Sequence, residues 1–574
     1  MIKMRKTTAT KLISLAACSS LLLSACGGGA TAAGSASSSS SAQSAAVQSE
    51  SAAPAEDTAA APTEEAAAAQ SEAAAEAPAE DTAASGEVTT LHIGSGQTAQ
   101  TLDVNNAYDG WYLIRFGICQ TLTKMNDDMS ISGWLVEDNY SANDTYDEWT
   151  FTIKDGVTFS NGDALTAELA KTSLESLFAN SVRGTEYFDP ESFEADGQTL
   201  VIKTKNPEPI LPNKLADPLF SIIDTNADTS NMTETGPVGT GPYVLESFDT
   251  TSFECIVDRN ENYWGGEVGT DRIDFYYTEE QTALTNALTT GEFDAVYNVS
   301  MNDIGQFEGN DAYSIVKSAS GRTTHGFMNQ NGVLGDKVLR QAILQNLDKD
   351  TYCSVQLQGQ YVPGKTLITS SADYGYNELT DPNSYNPENA VKLLDDAGYE
   401  DIDGDGFRET PDGEAIDLKF TYYTGRPEQE LLVEATCQEM AAIGIKITPD
   451  LKDTATVMDK LAAGDYDLLC MSINVLNCAD PENHMKTYFG EGGSYSTTGW
   501  HNDEFESLLS ELAVTADASA RKEIVKKAEQ ILLDDAVCIF YCYPLMNFVT
   551  KNNVSGIRST TADYYWVDEN TRIN

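Results

Sequence analysis

Aspartates, histidines and one arginine are the residues of this chain whose type and spacing suggest chemistry on an ion or a small molecule. In Asp401-Ile402-Asp403-Gly404-Asp405-Gly406, aspartates at alternate positions and a glycine at the sixth imitate the start of a calcium loop. Glu409 and Asp412 fall at its ninth and twelfth places, but Asp412 is one methylene short of the usual bidentate Glu. We read the segment as a Gly-rich turn between a helix and a strand. The chain has 4 histidines, His92, His325, His484 and His501. Imidazole suits nickel, yet a lone histidine is more often a satisfied polar contact. Arg183 follows a stretch of helical spacing, Thr166 to Leu177. Its guanidinium fork is well made for a carboxylate, although any exposed arginine after a helix would look the same. An enzyme would need a nucleophile with its base or a metal constellation. The chain has no G-x-S-x-G, no H-E-x-x-H and no phosphate-binding glycine loop.

The elements that must position such residues are marked by turns and alternation. Thr235 to Gly266 opens with Gly236, Gly239 and Gly241 interleaved with Pro237 and Pro242, a density that marks a preset turn. Tyr243-Val244-Leu245 and then Phe253, Cys255 and Val257 predict a hairpin ending in Arg259-Asn260-Glu261-Asn262-Tyr263-Trp264. Trp149, Phe151 and Ile153 alternate, Asp155-Gly156 turns, and Val157 and Phe159 predict a returning strand. A first strand, Thr89 to Ile93, leads to a segment that gathers Tyr108, Trp111, Tyr112 and Phe116. A helix from Asn386-Pro387 closes at Gly398, where a helix C-terminus favours glycine. Val537 to Tyr543 predicts a late strand continuing through Pro544.

The amino-terminal segment speaks for compartment. Lys3, Arg5, Lys6 and Lys11 precede the apolar run Leu12 to Leu23, and Leu23-Ser24-Ala25-Cys26 follows the pattern of a lipoprotein signal peptide. That run is shorter than the roughly 20 apolar residues a membrane span requires. Residues 27 to about 88 hold 10 carboxylates, no Lys or Arg, and no apolar residue larger than Val47. Too little can be buried there to offset chain entropy, so the segment is a disordered tether. The remainder is long enough for two or three packed lobes. A formal charge of −54 argues against nucleic acid, which wants Lys and Arg stripes. Apart from Cys18 and Cys26, eight cysteines remain, several inside apolar runs that read as small buried hydrophobes. Cys538 and Cys542 lie four apart on the late strand, about 13 Å at strand rise and beyond disulfide reach. Other pairings stay open.

G-T-G-P-Y, a strand and then R-N-x-x-Y-W, together with W-x-F-x-I-K-x-x-V-x-F-S-N-G, resemble the solute-binding proteins of peptide and nickel ABC importers. The resemblance implies an α/β, two-lobed periplasmic-binding-protein-like fold, class II and cluster C type, with an extra subdomain in the first lobe. After the signal peptide at 1–25 and the tether at 26–88 read above, it sets lobe I at 89–335 with a subdomain inserted at about 125–234, lobe II at 336–535, and a return to lobe I at 536–574. It implies no enzyme and no cofactor, but a receptor anchored to the membrane through lipid on Cys26, with a permease and its ATPase as partners. The ligand would be a short peptide or, alternatively, a nickel or other metal chelate; a signalling receptor with this fold is the further alternative. Tyr108, Trp111 and Tyr112 become cleft candidates, and Arg183 the counterpart of an arginine that holds a chelator's carboxylates. Peptide binders often read W-x-A-D-Y-x-D-P in the late cleft strand, the first aspartate pairing with the peptide amine. Here Asp480-Pro481 is kept, while Asn474, Asn477 and Cys478 stand in place of that Trp, Asp and Tyr. An amide accepts from an ammonium without contributing charge. Asn477, Asp480, His325 and Trp500 complete the ligand-binding candidates. Arg340 and Asp348 are expected to brace a lobe.

Overall fold

The computed structural model describes residues 88–574 apart from 107, 108, 182, 424 and 425. The expected signal peptide, Cys26, nearly all of the tether and the candidate Tyr108 lie outside the described residues.

One 12-stranded sheet runs through the described chain. We number its strands in chain order: β1 Thr90–Ser95, β2 Tyr243–Phe248, β3 Cys255–Arg259, β4 Arg272–Tyr277, β5 Ala295–Tyr297, β6 Tyr313–Ala319, β7 Arg322–Met328, β8 Tyr361–Pro363, β9 Asp417–Tyr423, β10 Lys446–Lys452, β11 Leu468–Asn474 and β12 Cys538–Lys551. Their spatial order is β2-β3-β4-β1-β5-β12-β7-β11-β9-β10, with β6 and β8 also pairing β12. Parallel pairs β1–β4 and β1–β5 form one half, and parallel pairs β9–β10 and β9–β11 the other. This is the two-lobed α/β architecture that the sequence resemblance implies. Five helices matter to the site: α1 Gly110–Arg115, α2 Ala167–Asn180, α3 Gly184–Tyr187, α4 Pro427–Ala442 and α5 Glu482–Tyr488; α6, Ala518–Asp534, braces the last.

β12 joins the halves. Its first residues pair with β7 and β8, and its last with β5 and β6. The partners change at Pro544, which faces Tyr361 in β8, and Leu545, which faces Ala319 in β6. Proline cannot donate to a ladder, so the changeover is a place where a strand interior tolerates it. The second half of the sheet has two apolar faces, because successive side chains alternate. Leu468, Cys470, Phe420, Tyr422, Ile539 and Tyr541 pack on one, and Leu469, Met471, Phe327 and Phe540 on the other.

The glycine-rich segment explains itself through close approach. A Cβ at Gly241 would lie 2.1 Å from the Gly117 carbonyl oxygen, and one at Gly239 would lie 2.3 Å from that of Ile118. With no side chain there, the Gly241 amide donates to Ile118 at 3.0 Å and the Tyr243 amide to Gly117 at 3.1 Å. The hairpin β2–β3 forms as the alternation predicts. At its end Asn260 donates to the Gly241 carbonyl at 2.8 Å, and the Trp264 indole donates to Gln120 Oε1 at 3.0 Å. The signature therefore clamps Gly117–Gln120, the segment directly after α1. It is structural, and what it fixes is the helix that carries Trp111.

The second hairpin is corrected. Glu148–Thr152 is a strand and Gly156 turns with φ +82°, but Val157 and Phe159 do not return beside it. Thr199–Thr204 takes that place, pairing Leu200 with Phe151 and Ile202 with Trp149. Val157 and Phe159 instead fill the core of this separate antiparallel sheet, which α2 covers. Alternation could not tell a buried return from a ladder partner. α2 starts at an N-cap, Thr166, whose hydroxyl accepts from the Leu169 amide at 3.3 Å. The eight described cysteines carry free thiols, all buried but the half-buried Cys437.

Candidate functional site

A cavity of about 430 Å³ lies between α1 and α3 on one side and the end of β11, its following turn and α5 on the other. It collects Trp111, Arg183, Asn477 and Asp480 of the sequence candidates. A larger space of about 790 Å³ opens elsewhere, beside β5, β8 and α4, and holds Tyr297 but none of those candidates. We take the smaller as the candidate site because independent sequence signals converge there.

Trp111 projects from α1 and packs 5.3 Å from the Tyr564 ring. Tyr112, one residue on, points away from the cavity into the core, with Phe116 at 5.7 Å, Trp566 at 6.3 Å and the Arg115 guanidinium 4.9 Å above its ring. Arg183 is buried at the start of α3. Its guanidinium donates to the Tyr187 hydroxyl at 3.0 Å, which donates to Asp217 at 2.8 Å. Burial pushes the Asp217 carboxyl up to about 6, opposed by the Leu219 amide and the Tyr187 hydroxyl that donate to it. Glu186 stands 3.5 Å from Arg183 and is 61 % exposed.

Asp480 is a different case. Its two oxygens each accept from Arg521 of α6 at 2.8 Å, and the two side chains are 3 % and 4 % exposed. Arg521 also donates to Glu482 at 2.8 Å and to the Leu512 and Thr515 carbonyls at 2.7 Å. Burial works against this guanidinium's charge, and the Asp480 carboxylate overcomes it. Asp480 thus lies at the cavity wall with its charge spent inward, tying α6 to the turn before α5. Asn477 lines the cavity with a buried Oδ1 that has no partner.

His325 sits on β7 behind the cavity wall, facing Met471 in register. Its Nδ1 lies 2.8 Å from the Thr323 carbonyl, and its ring centroid is 5.1 Å from that of His484, which does line the cavity. Both Nε2 atoms are buried without a partner. Burial pushes the His325 pKa down to about 4 and that of His484 well below its ordinary value, so both rings are neutral. His501 is exposed and paired with Asp503 at 3.0 Å, and His92 lies 3.3 Å from Asp274 in the first half of the sheet. Trp500 donates to Asp535 at 3.2 Å and packs on Phe505 at 5.0 Å, away from the cavity.

Arg322 escaped the sequence reading. It opens β7 at the cavity floor, donates to the Ser472 carbonyl at 3.1 Å, and has no carboxylate within 4.0 Å among the described residues. Burial lowers its pKa first and the neighbouring Arg426 adds to this, while Asp563 opposes. Lys214, by contrast, is paired with Glu208, and Lys486 with Glu482. No motif surrounds Arg322 in the sequence, and only the strand crossing brings it to the cavity. Elsewhere, Asp401, Asp403 and Asp405 bring carboxylate oxygens within 4.8 Å of one another, all exposed, and Asp412 is not among them.

The fold is that of a two-lobed solute-binding protein. Residues 130–496 match the profile of the bacterial extracellular solute-binding proteins, family 5 Middle, and the chain belongs to that family. It is similar to the nickel-binding protein NikA of Staphylococcus aureus, 25 % identical over 463 residues that cover 80 % of this chain and 90 % of that one. It is also similar to the oligopeptide-binding protein OppA of Bacillus subtilis, 24 % identical over 445 residues covering 71 % and 79 %. Among solved structures, a nickel ABC transporter protein from Bacillus halodurans superposes with a TM-score of 0.74 at 24 % identity, covering 84 % of this chain and 100 % of that one. Proteins of this family are transport binding proteins, not enzymes. Among the described residues no helix is long and apolar enough to cross a membrane.

Proposed function

We propose that this chain is a lipid-anchored, extracytoplasmic solute-binding protein of an ABC importer that captures short peptides and delivers them to a permease. The observation that carries the ligand class is Arg322, a half-buried guanidinium at the cavity floor with no carboxylate within 4.0 Å among the described residues. A charge partly withdrawn from water gains from a partner, so a ligand's carboxylate is the partner this site calls for. Asp480 and Glu482 are held by Arg521 and Lys486, and Glu186, 61 % exposed and 3.5 Å from Arg183, is the more accessible acid for a ligand ammonium. About 430 Å³ suits a short peptide. OppA, named for oligopeptides, supports this reading.

Native mass spectrometry of protein purified without refolding tests it. The expected result is a retained carboxylate-bearing peptide in the wild type and at least about 30-fold weaker binding of that peptide in Arg322→Gln, the worth of one or two charge-assisted hydrogen bonds. A ligand without a carboxylate, or unchanged affinity, refutes it. A metal chelate is the second reading, favoured by the unpartnered Nε2 of His484 and His325 and by the likeness to NikA. A nickel-containing mass in the retained complex selects it.

A further inference from the structure

The chain passes between the two halves of the sheet at Pro544 in β12 and again at Ser320 and Gly321, which link β6 to β7. The two passages touch, the Ser320 amide donating to the Pro544 carbonyl at 3.1 Å. Residues 364–371, which follow β8, lie across both. The Tyr543 hydroxyl accepts from the Lys365 and Thr366 amides at 3.2 and 3.1 Å and donates to the Thr366 carbonyl at 2.7 Å. Thr323 donates to the Leu367 carbonyl at 2.7 Å, and Ser371 to the Ala319 carbonyl at 3.1 Å. One short segment thus holds the residue just before Pro544 and those on either side of 320–321.

The outer side of that segment rests on α6. Leu367 and Ile368 share one core with Val525, Ala528 and Leu532 of the helix, and among these apolar groups stands Glu529, 1 % exposed. One of its oxygens accepts from the Ile368 amide at 2.9 Å; the other is buried and has no partner. No cationic nitrogen lies within 4.0 Å of it among the described residues. A carboxylate charge in such a place is uncompensated, whereas a neutral carboxyl costs far less. Burial pushes this group up to about 8, against the Ile368 amide, the Thr366 hydroxyl, the Leu367 amide and the Lys365 ammonium. Lys365 itself donates to the Tyr376 carbonyl at 3.0 Å, and the nearby Tyr374 hydroxyl donates to the Ala479 carbonyl at 3.0 Å. Along α6, Arg521 is committed to Asp480 and Glu482, and Lys526 to Glu378 and Glu523. The helix Asp503–Leu512 turns Phe505, Leu508, Leu509 and Leu512 to this core, and the start of β12 adds Phe540 and the Cys538 thiol.

We propose that residues 364–371 are a clamp on the hinge between the halves and that Glu529 is its pH-sensitive catch: with its proton the carboxyl lies buried under the clamp, and without it the clamp lifts so that the charge reaches water. Lifting exposes a carboxyl that ionises near its ordinary 4.5, whereas the closed clamp keeps the proton up to about 8. Opening therefore becomes easier by up to about ten-fold for each unit of pH between those values, and levels off above them. The hinge is stiffest in acid, and both passages loosen toward neutrality.

The test is hydrogen exchange of the full chain read by mass spectrometry at about pH 5 and about pH 7, corrected for intrinsic rates. Between the two, protection should fall at least about ten-fold in peptides covering 364–371 and also in those covering 320–324 and 541–545. Helix α2, which packs in the separate antiparallel sheet, should keep its protection. Glu529→Gln, neutral at every pH, should show no fall in any of these peptides. Glu529→Met, an apolar side chain of similar length, gives the same reading should the glutamine variant not fold. Protection over 364–371 that is the same at both pH values in the wild type overturns the inference. So does a fall confined to that segment and absent from the two passages, or a fall that either variant repeats.

Discussion

Asp480→Asn separates a structural aspartate from a ligand-binding one. Its carboxylate makes two charge-assisted hydrogen bonds of 2.8 Å to Arg521, with both groups almost fully buried. Removing one partner of a buried pair costs on the order of 3 to 5 kcal/mol, because the remaining charge is left uncompensated. Glu482 still accepts from Arg521, and an asparagine oxygen keeps one of the two bonds, so the expected loss is nearer the lower figure, about 3 kcal/mol. The loss should be seen as a lowered urea midpoint for the transition that unfolds α6. Binding of the retained solute should weaken only as far as α5, which follows the Asp480 turn, is displaced. An unchanged urea midpoint with binding abolished would refute the reasoning, since it would mean that Asp480 faces ligand and Arg521 does not need it.

Glu529 on α6 gives a pH dependence. Burial pushes its carboxyl up to about 8, although the Ile368 amide donates to it at 2.9 Å. The unfolded chain ionises near 4.5 while the folded one keeps its proton to about 8, so stability falls as pH rises across that window and levels above it. Glu529→Gln, a neutral isostere, should flatten the decline between pH 5 and 8; an unaltered pH profile of thermal melting would show that Glu529 is not its source. Gly241→Ala places a methyl 2.1 Å from the Gly117 carbonyl oxygen and should cost about 2 kcal/mol or more, read by urea unfolding. Calcium at millimolar concentration should leave the melting temperature unchanged, because the exposed Asp401, Asp403 and Asp405 lack a bidentate twelfth ligand; an upward shift would restore the calcium reading. Cys26→Ser should release the protein from membranes into the medium, and retention in the membrane fraction would contradict lipid anchoring.

What the sequence made legible depended on how local the determining physics is. The β2–β3 hairpin, the helix that follows Thr166 and the glycine turn before Tyr243 are set by neighbours a few residues away, and they stand where spacing and turn chemistry put them. The strand expected at Val157 failed because its pattern of buried residues is shared by a core loop, and the true partner comes from Thr199–Thr204, some fifty residues on. The site divides the same way. Trp111 and Tyr112 are adjacent in sequence, yet a helix sends neighbouring side chains in different directions, and only Trp111 reaches the cavity. Asp480 kept its place in a recognisable turn, but the guanidinium that consumes its charge lies 41 residues away on α6. Arg322 carries the opposite lesson. Nothing around it in the chain marks it. Its significance arises because strands remote in sequence place a guanidinium under a cavity with no carboxylate within 4.0 Å among the described residues, and such a gap is a property of the assembled fold alone.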